Sequence, residues 1–359
     1  MTLEERNNMR IVIGDFGHTQ AGQNVQSFTI YQENGTFCTL LSYGATLQRL
    51  MMPDRDHHFQ DVVLGYDDLP SYENGKDYFG ATIGRCCNRI ARADLPISDR
   101  RYALFANDGR NHLHGGKRGF DKVVWRGEAA QFVEGPGVNF YYHSPDGEEG
   151  YPGNLSAQAT YILTSDYRLI IRFSAASDAD TVINLTNHSY FNLAGQGSGN
   201  IFSHEVQIAA DFYTPTDDEL IPTGQILPVA GTLLDFRRPK SIGSAFDTTD
   251  VLLAAGGFDH NFVLRESLRD RKQPVAAVFE PQSGRRMQVV STLPGLQFYS
   301  GNMMTSTVGK EGVRYDRRDG FCLETQYFPD AVHHPGFADP IYKAGNPYQQ
   351  ETVYIFTAD

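Results

Sequence analysis

Residues 24–32 read Asn-Val-Gln-Ser-Phe-Thr-Ile-Tyr-Gln, then come Glu33-Asn34-Gly35 and a second run at 36–43. Apolar and β-branched residues alternate with polar ones on both sides of an Asn-Gly pair, which is the sequence form of two antiparallel strands joined by a tight turn. The form recurs: residues 157–163 and 167–174 flank Ser165-Asp166, and residues 276–280 and 287–291 flank Gln282-Ser283-Gly284. With 23 Phe, 19 Tyr and 35 Gly, and no long apolar stripe of helical period, the chain is expected to be all-β. So many strands without helical crossovers imply antiparallel sheets, and a large antiparallel β-sandwich is the expected architecture.

A length of 359 residues would permit two or three domains. No Pro/Ser run, low-complexity tract or charge block supplies a linker, so one domain over 1–359 is expected. No internal repeat suggests a propeller. The balance of 31 Lys and Arg against 43 Asp and Glu gives a formal charge of −12, which repels phosphate backbones and anionic lipid, so neither nucleic acid nor a membrane is an expected partner. The opening Thr2-Leu3-Glu4-Glu5-Arg6 has no apolar leader core, and no stretch is long enough to cross a bilayer; a soluble, cytoplasmic protein is expected. The 4 cysteines, two adjacent at Cys86-Cys87, form no C-x-x-C pair and read as reduced, buried thiols. The sequons at Asn34, Asn154, Asn184 and Asn187 are read as unused, since a glycan on the last would obstruct the histidine segment described next.

Two segments carry ionisable groups where a surface charge is out of place. Glu324 lies in Leu323-Glu324-Thr325-Gln326-Tyr327-Phe328-Pro329-Asp330, and His188 in Thr186-Asn187-His188-Ser189-Tyr190-Phe191-Asn192-Leu193. A carboxylate and an imidazole embedded in strand-like sequence are the groups that cofactor-free proton transfer requires. Gly195-Gln196-Gly197-Ser198-Gly199 lacks the last glycine of a dinucleotide fingerprint, and no P-loop or nucleophile elbow is present. No cofactor is therefore expected. His112-Leu113-His114 would put two imidazoles on one face of a strand, a possible metal pair, but no third ligand is fixed by spacing and no metal is expected. Arg85 and the Asn88-Arg89 pair sit in an otherwise apolar stretch, where an arginine fork suits neighbouring oxygen acceptors as well as a structural ion pair. Asp259 follows a glycine turn, which also suits a capping role, and Gln297 alternates with apolar neighbours, as on any half-exposed strand.

Taken in order, Gly84-Arg85 with Asn88-Arg89-Ile90-Ala91, Asn111 with Leu113-His114-Gly115-Gly116, Gly119-Phe120-Asp121-Lys122, Gly150-Tyr151-Pro152-Gly153, Asn187-His188 with Tyr190-Phe191-Asn192-Leu193, Gln297-Phe298-Tyr299, and Glu324 with Phe328-Pro329-Asp330 resemble the aldose 1-epimerase (galactose mutarotase) family. Each motif is weak; seven in order are specific. The likeness runs from Ser42 to the C-terminus and leaves residues 1–20 as a poorly matched N-terminal extension. It implies a β-supersandwich with a sugar cleft, and interconversion of the α and β anomers of free aldohexoses such as galactose and glucose. It implies Glu324 as catalytic base and His188 as acid, with Asn88, Arg89, His114, Asp259 and Gln297 on the sugar hydroxyls; Tyr190, two residues after His188, would share its face, and Tyr190 and Phe298 would cover the ring's apolar side. The expected partner is a small monosaccharide, and the protein a monomer or homodimer. Cys86-Cys87 and Ala331-Val332-His333-His334 depart from the family pattern without touching a catalytic position.

Three rivals remain at this stage. A glycoside hydrolase needs two carboxylates, for which Asp259 and Glu324 could stand, but it leaves His188 unexplained. A hexose-6-phosphate 1-epimerase needs cations beyond Arg85 and Arg89. A non-catalytic sugar-binding or sensor protein would be expected to lack the acid or the base.

Overall fold

The structure, a computed structural model, describes residues 11–246, 256–270 and 273–359. The first hairpin forms between Asn24–Tyr31 and Phe37–Leu41, with Tyr31 opposite Phe37. Its turn needs Gly35 at φ 88°, and Asn34 Oδ1 accepts the Thr36 N–H at 2.9 Å, so the Asn-Gly pair does the work its sequence suggested. Ile11–His18 adds an outer strand, and Thr46–Pro53 and Phe59–Asp61 complete a five-stranded sheet. The segment that matched the family pattern poorly therefore carries a paired strand from Ile11 onward, while residues 1–10 lie outside the described residues.

The other two hairpins enter a nine-stranded sheet. Its order runs Arg126–Gln131, Pro136–Ser144, Leu155–Leu163, Arg168–Ser177, Tyr348–Ala358, Arg285–Ser291, Ala276–Phe279, Glu205–Ile208, Lys240–Ser241. The C-terminal strand thus sits in the middle, between segments far from it in sequence. A second five-stranded sheet is ordered Leu227–Pro228, Ala210–Thr214, Asp259–Leu264, Gly295–Tyr299, Cys322–Gln326. The ladders of all three sheets are antiparallel, as the alternating pattern and the expected sandwich require.

One apolar core is shared by the three sheets: Phe28 and Leu40 from the first, Tyr161 and Tyr354 from the largest, Phe298 and Leu323 from the third. Burying these side chains supplies the driving force, at roughly 1.5–3 kcal/mol for each large one. Phe298 is fully buried and packs on Phe258 at 5.1 Å between ring centroids, so it belongs to the core and not, as expected, to the sugar side. The four cysteines are free and buried. A short helix, Leu69–Asn74, starts at Asp68, whose Oδ1 accepts the Ser71 N–H at 2.8 Å, and ends at Gly75. It delivers residues 75–80 to one wall of the site. Among the described residues no helix is long and apolar enough to cross a membrane.

Candidate active site

Asp259, Gln297 and Glu324 come from three adjoining strands of the smaller sheet. Asn261 lies opposite Gln297 and Gln297 opposite Glu324, so the three share a face; steps of two add Asp259, Cys322 and Gln326 to it. The alternate residues, Phe298 and Leu323 among them, face the core. Polar side chains on the first face satisfy one another. Gln326 Nε2 donates to Gln297 Oε1 at 3.2 Å and to Asn261 Oδ1 at 3.3 Å, and Gln297 Nε2 donates to Asp259 Oδ1 at 2.7 Å.

His188 arrives from another direction. Thr186–Asn187 pairs with Thr82–Ile83, the His188 N–H donates to the Ala81 carbonyl at 2.9 Å, and its own carbonyl accepts the Gly80 N–H at 3.0 Å. Reciprocal backbone bonds between Phe191 and Phe321, 2.7 and 2.9 Å, then dock this segment beside the Glu324 strand. The result is His188 Nε2 at 3.7 Å from Glu324 Oε1, with only 5% and 3% of the two side chains exposed. Glu324 Oε2 is buried with no hydrogen-bond partner. An unpaired carboxylate oxygen is costly in a folded interior, and it marks a place where a ligand hydroxyl would be stabilising.

His114 follows the short strand His112–Leu113, paired with Arg89–Ile90, and sits at φ 51°. Its Nδ1 accepts the Asn88 N–H at 3.1 Å. A backbone N–H can only donate, so neutral His114 carries its proton on Nε2. The imidazoles of His114 and His188 meet edge to face at 5.1 Å, and Tyr78 packs at 4.8 Å on the first and 5.7 Å on the second. Tyr190 lies 5.1 Å from His188. Asn88, Arg89, His114, His188, Tyr190, Asp259 and Glu324 all line one cleft of about 720 Å³. Gln297 stands one layer behind, holding Asp259.

Burial, reinforced by Asp259 and opposed by Arg89, raises the Glu324 carboxyl well above the usual carboxylate range. Burial also lowers His188 to about 4, and it lowers His114 well below 6.5 with His188, Arg89 and His112 adding to the effect. Burial thus favours the protonated form of Glu324 and the neutral form of His188. Arg89 Nε donates to Asp108 Oδ2 at 2.8 Å, which sets the guanidinium at the cleft.

One sequence expectation changes, and one alternative weighed there loses its geometry. Arg85 contributes no charge to the cleft: it is 1% exposed and its guanidinium is consumed by Ser144 Oγ and by the carbonyls of Ser144, Pro145 and Pro152 at 2.8–3.0 Å. His112 and His114 do not form a metal pair, because His114 lies beyond the strand in a left-handed conformation and both His112 nitrogens are engaged, Nδ1 by the Phe105 carbonyl at 2.7 Å and Nε2 by Tyr151 Oη at 2.5 Å. His114, His188 and Glu324 do bring ligand atoms within 4.8 Å of one another, so a metal, if one bound, would take up the cleft's buried imidazoles and carboxyl. Sequence reading missed Tyr78, Asp77 and Lys76 of the wall after the helix, together with Asp108 and Tyr299, all of which line the cleft. The aromatic Tyr78-Phe79 ahead of Gly80 was the available signal for the wall.

The family profile described as aldose 1-epimerase matches residues 26–355. The chain belongs to the aldose 1-epimerase family. It is 44% identical to a galactose mutarotase of Sus scrofa over 95% of this chain and 97% of that one, and 43% identical to a galactose mutarotase of Homo sapiens over 97% and 98%. An aldose 1-epimerase of Escherichia coli is 36% identical over 94% and 97%. Among solved structures, an aldose epimerase homologue from C. elegans superposes with a TM-score of 0.85 at 28% identity, covering 97% of this chain and 99% of that one. A galactose 1-epimerase from Lactobacillus acidophilus gives 0.85 at 27%, covering 98% and 99%. The expected mutarotase-like all-β fold and family are thus both found, and aldose 1-epimerases are isomerases.

Proposed function

We propose that the chain interconverts the α and β anomers of free aldohexoses such as galactose and glucose, with Glu324 and His188 as the proton carriers. The observation that carries this is the facing of His188 Nε2 and Glu324 Oε1 at 3.7 Å on the cleft wall, beside an unpaired Glu324 Oε2. In the closed-ring complex the carboxylate takes the proton of the anomeric hydroxyl while the imidazolium gives its Nε2 proton to the ring oxygen; the C1–ring oxygen bond breaks and an aldehyde forms. Rotation about the C1–C2 bond presents the other face. The neutral imidazole then recovers the hydroxyl proton as the ring closes, and the carboxylic acid returns its proton to the anomeric oxygen. The open-chain stage pairs a protonated carboxyl with a neutral imidazole, the forms that burial favours at each group. Arg89 and bound hydroxyls would favour the charged state when the sugar is closed.

Asn88, Arg89, His114 and Asp259 hold hydroxyls, with His114 offering its Nε2–H, and Gln297 acts through Asp259. Tyr190 and Tyr78 wall the ring. Polarimetry of freshly dissolved α-galactose and α-glucose tests the proposal: added protein should speed the decay of rotation. Glucose 6-phosphate belongs in the same series, because Lys76 at the cleft is the cation a phosphate would require now that Arg85 is withdrawn. A preference for the phosphate would replace the free hexose as substrate, and decay at the buffer rate for every sugar would overturn the enzyme assignment. The protein would act in the cytoplasm as a monomer or homodimer.

A further inference from the structure

We propose that Cys322 is a positioning residue for His188, its sulphur accepting the Nδ1–H and so reserving Nε2 for proton exchange with the sugar. This rests on the assignment of His188 and Glu324 as the proton pair. Cys322 lies two residues before Glu324 on the same strand, on the same face, and opposite Tyr299. Its Sγ is 3.6 Å from His188 Nδ1, within the range of a sulphur hydrogen bond, and the residue is fully buried. The other surroundings of the ring are its own backbone carbonyl, Glu324 at Nε2, and the rings of His114, Tyr78 and Tyr190.

The reaction cycle decides which atom donates. With the ring closed, His188 is an imidazolium and holds protons on both nitrogens. After Nε2 gives its proton to the ring oxygen, the remaining proton must stay on Nδ1, because only a bare Nε2 can take the hydroxyl proton back on reclosure. Nδ1–H therefore needs an acceptor in both states, and the thiol sulphur shares that role with the carbonyl of His188 itself. Burial, with Glu324 and Asp259, raises the Cys322 thiol well above 9.0, so the sulphur acts as a neutral acceptor and takes no proton from the cycle. A thiol donating to Nδ1 would instead put the only imidazole proton on Nε2 and block reclosure.

The test combines proton-detected ¹⁵N NMR of histidine-labelled protein at neutral pH with steady-state mutarotation. In the wild type, His188 should be protonated on Nδ1 and bare on Nε2. Cys322→Ala should shift the proton toward Nε2 and lower kcat about tenfold while KM stays within about twofold, and Cys322→Ser, which keeps an acceptor, should retain Nδ1–H and most of kcat. Wild-type His188 protonated on Nε2 alone, or a folded Cys322→Ala with unchanged kcat, would overturn the inference. Should the alanine variant fail to fold, the wild-type spectrum and the serine variant still decide. An inactive wild type would instead count against the enzyme assignment itself.

Discussion

Gln297 stands directly opposite Glu324 on adjoining strands, and its side-chain amide grips Asp259 Oδ1 at 2.7 Å. The strand register thereby ties Glu324, the proposed base, to a second carboxylate that raises its proton affinity. Gln326 closes the arrangement by donating to Gln297 Oε1, which fixes which end of the amide faces Asp259.

Gln297→Ala should therefore free Asp259 to turn without removing a group from the cleft wall. A loss of roughly tenfold in kcat/KM is expected, carried mostly by KM, since a hydrogen bond to a charged group contributes about 1.5–3 kcal/mol. Steady-state mutarotation with galactose checks it. An unchanged KM would show that Asp259 needs no such support.

Arg89→Lys should rescue Arg89→Ala poorly. The guanidinium uses Nε on Asp108 and keeps its remaining N–H groups for the cleft, a division of labour that a single ammonium cannot reproduce. Both variants should raise KM and lower kcat, and Asp108→Asn should do less, because Asp108 is 38% exposed. A lysine variant at wild-type rate would show that this division of labour is not needed.

Exhaustive chelation should leave mutarotation unchanged, because the proton pair needs no Lewis acid. A loss that zinc or manganese restored would reassign His114, His188 and Glu324 as ligands.

Histidine burial sets an acid limit on stability. His204, which does not line the cleft, accepts the Leu193 N–H at Nε2 and is lowered from 6.5 to about 4 by burial. Between those values the unfolded chain binds the extra proton, so this stability is fully present above 6.5 and is lost as pH falls toward 4. His204→Gln should flatten the slope of unfolding free energy in that window by up to about 1.4 kcal/mol per pH unit. Parallel wild-type and variant curves from denaturant titrations across the window would refute the burial argument.

The hairpins were legible because period-two alternation and an Asn-Gly turn are local properties. The placing of Tyr348–Ala358 between Arg168–Ser177 and Arg285–Ser291 was not, because that pairing depends on contacts remote in sequence. Glu324 and His188 could be singled out as charges embedded in apolar runs. Depth was harder: alternation puts Gln297 on the polar face but does not say that Asp259 stands in front of it. The geometry of His112-x-His114 was hidden for a related reason, since the alternation rule holds only within a strand and His114 has already left it. Arg85 and Arg89 look alike in sequence, and only the carbonyls gathered around Arg85 distinguish them.

The central claim is that Glu324 and His188 work as one proton-transfer unit, and the most direct measurement is polarimetric turnover of Glu324→Gln, His188→Gln and the double variant on galactose. Each single substitution should lower kcat by roughly a hundred- to ten-thousand-fold, and the double variant should lose far less than the product of the two. Near-native turnover by a correctly folded Glu324→Gln, or losses that multiply in full, would contradict it.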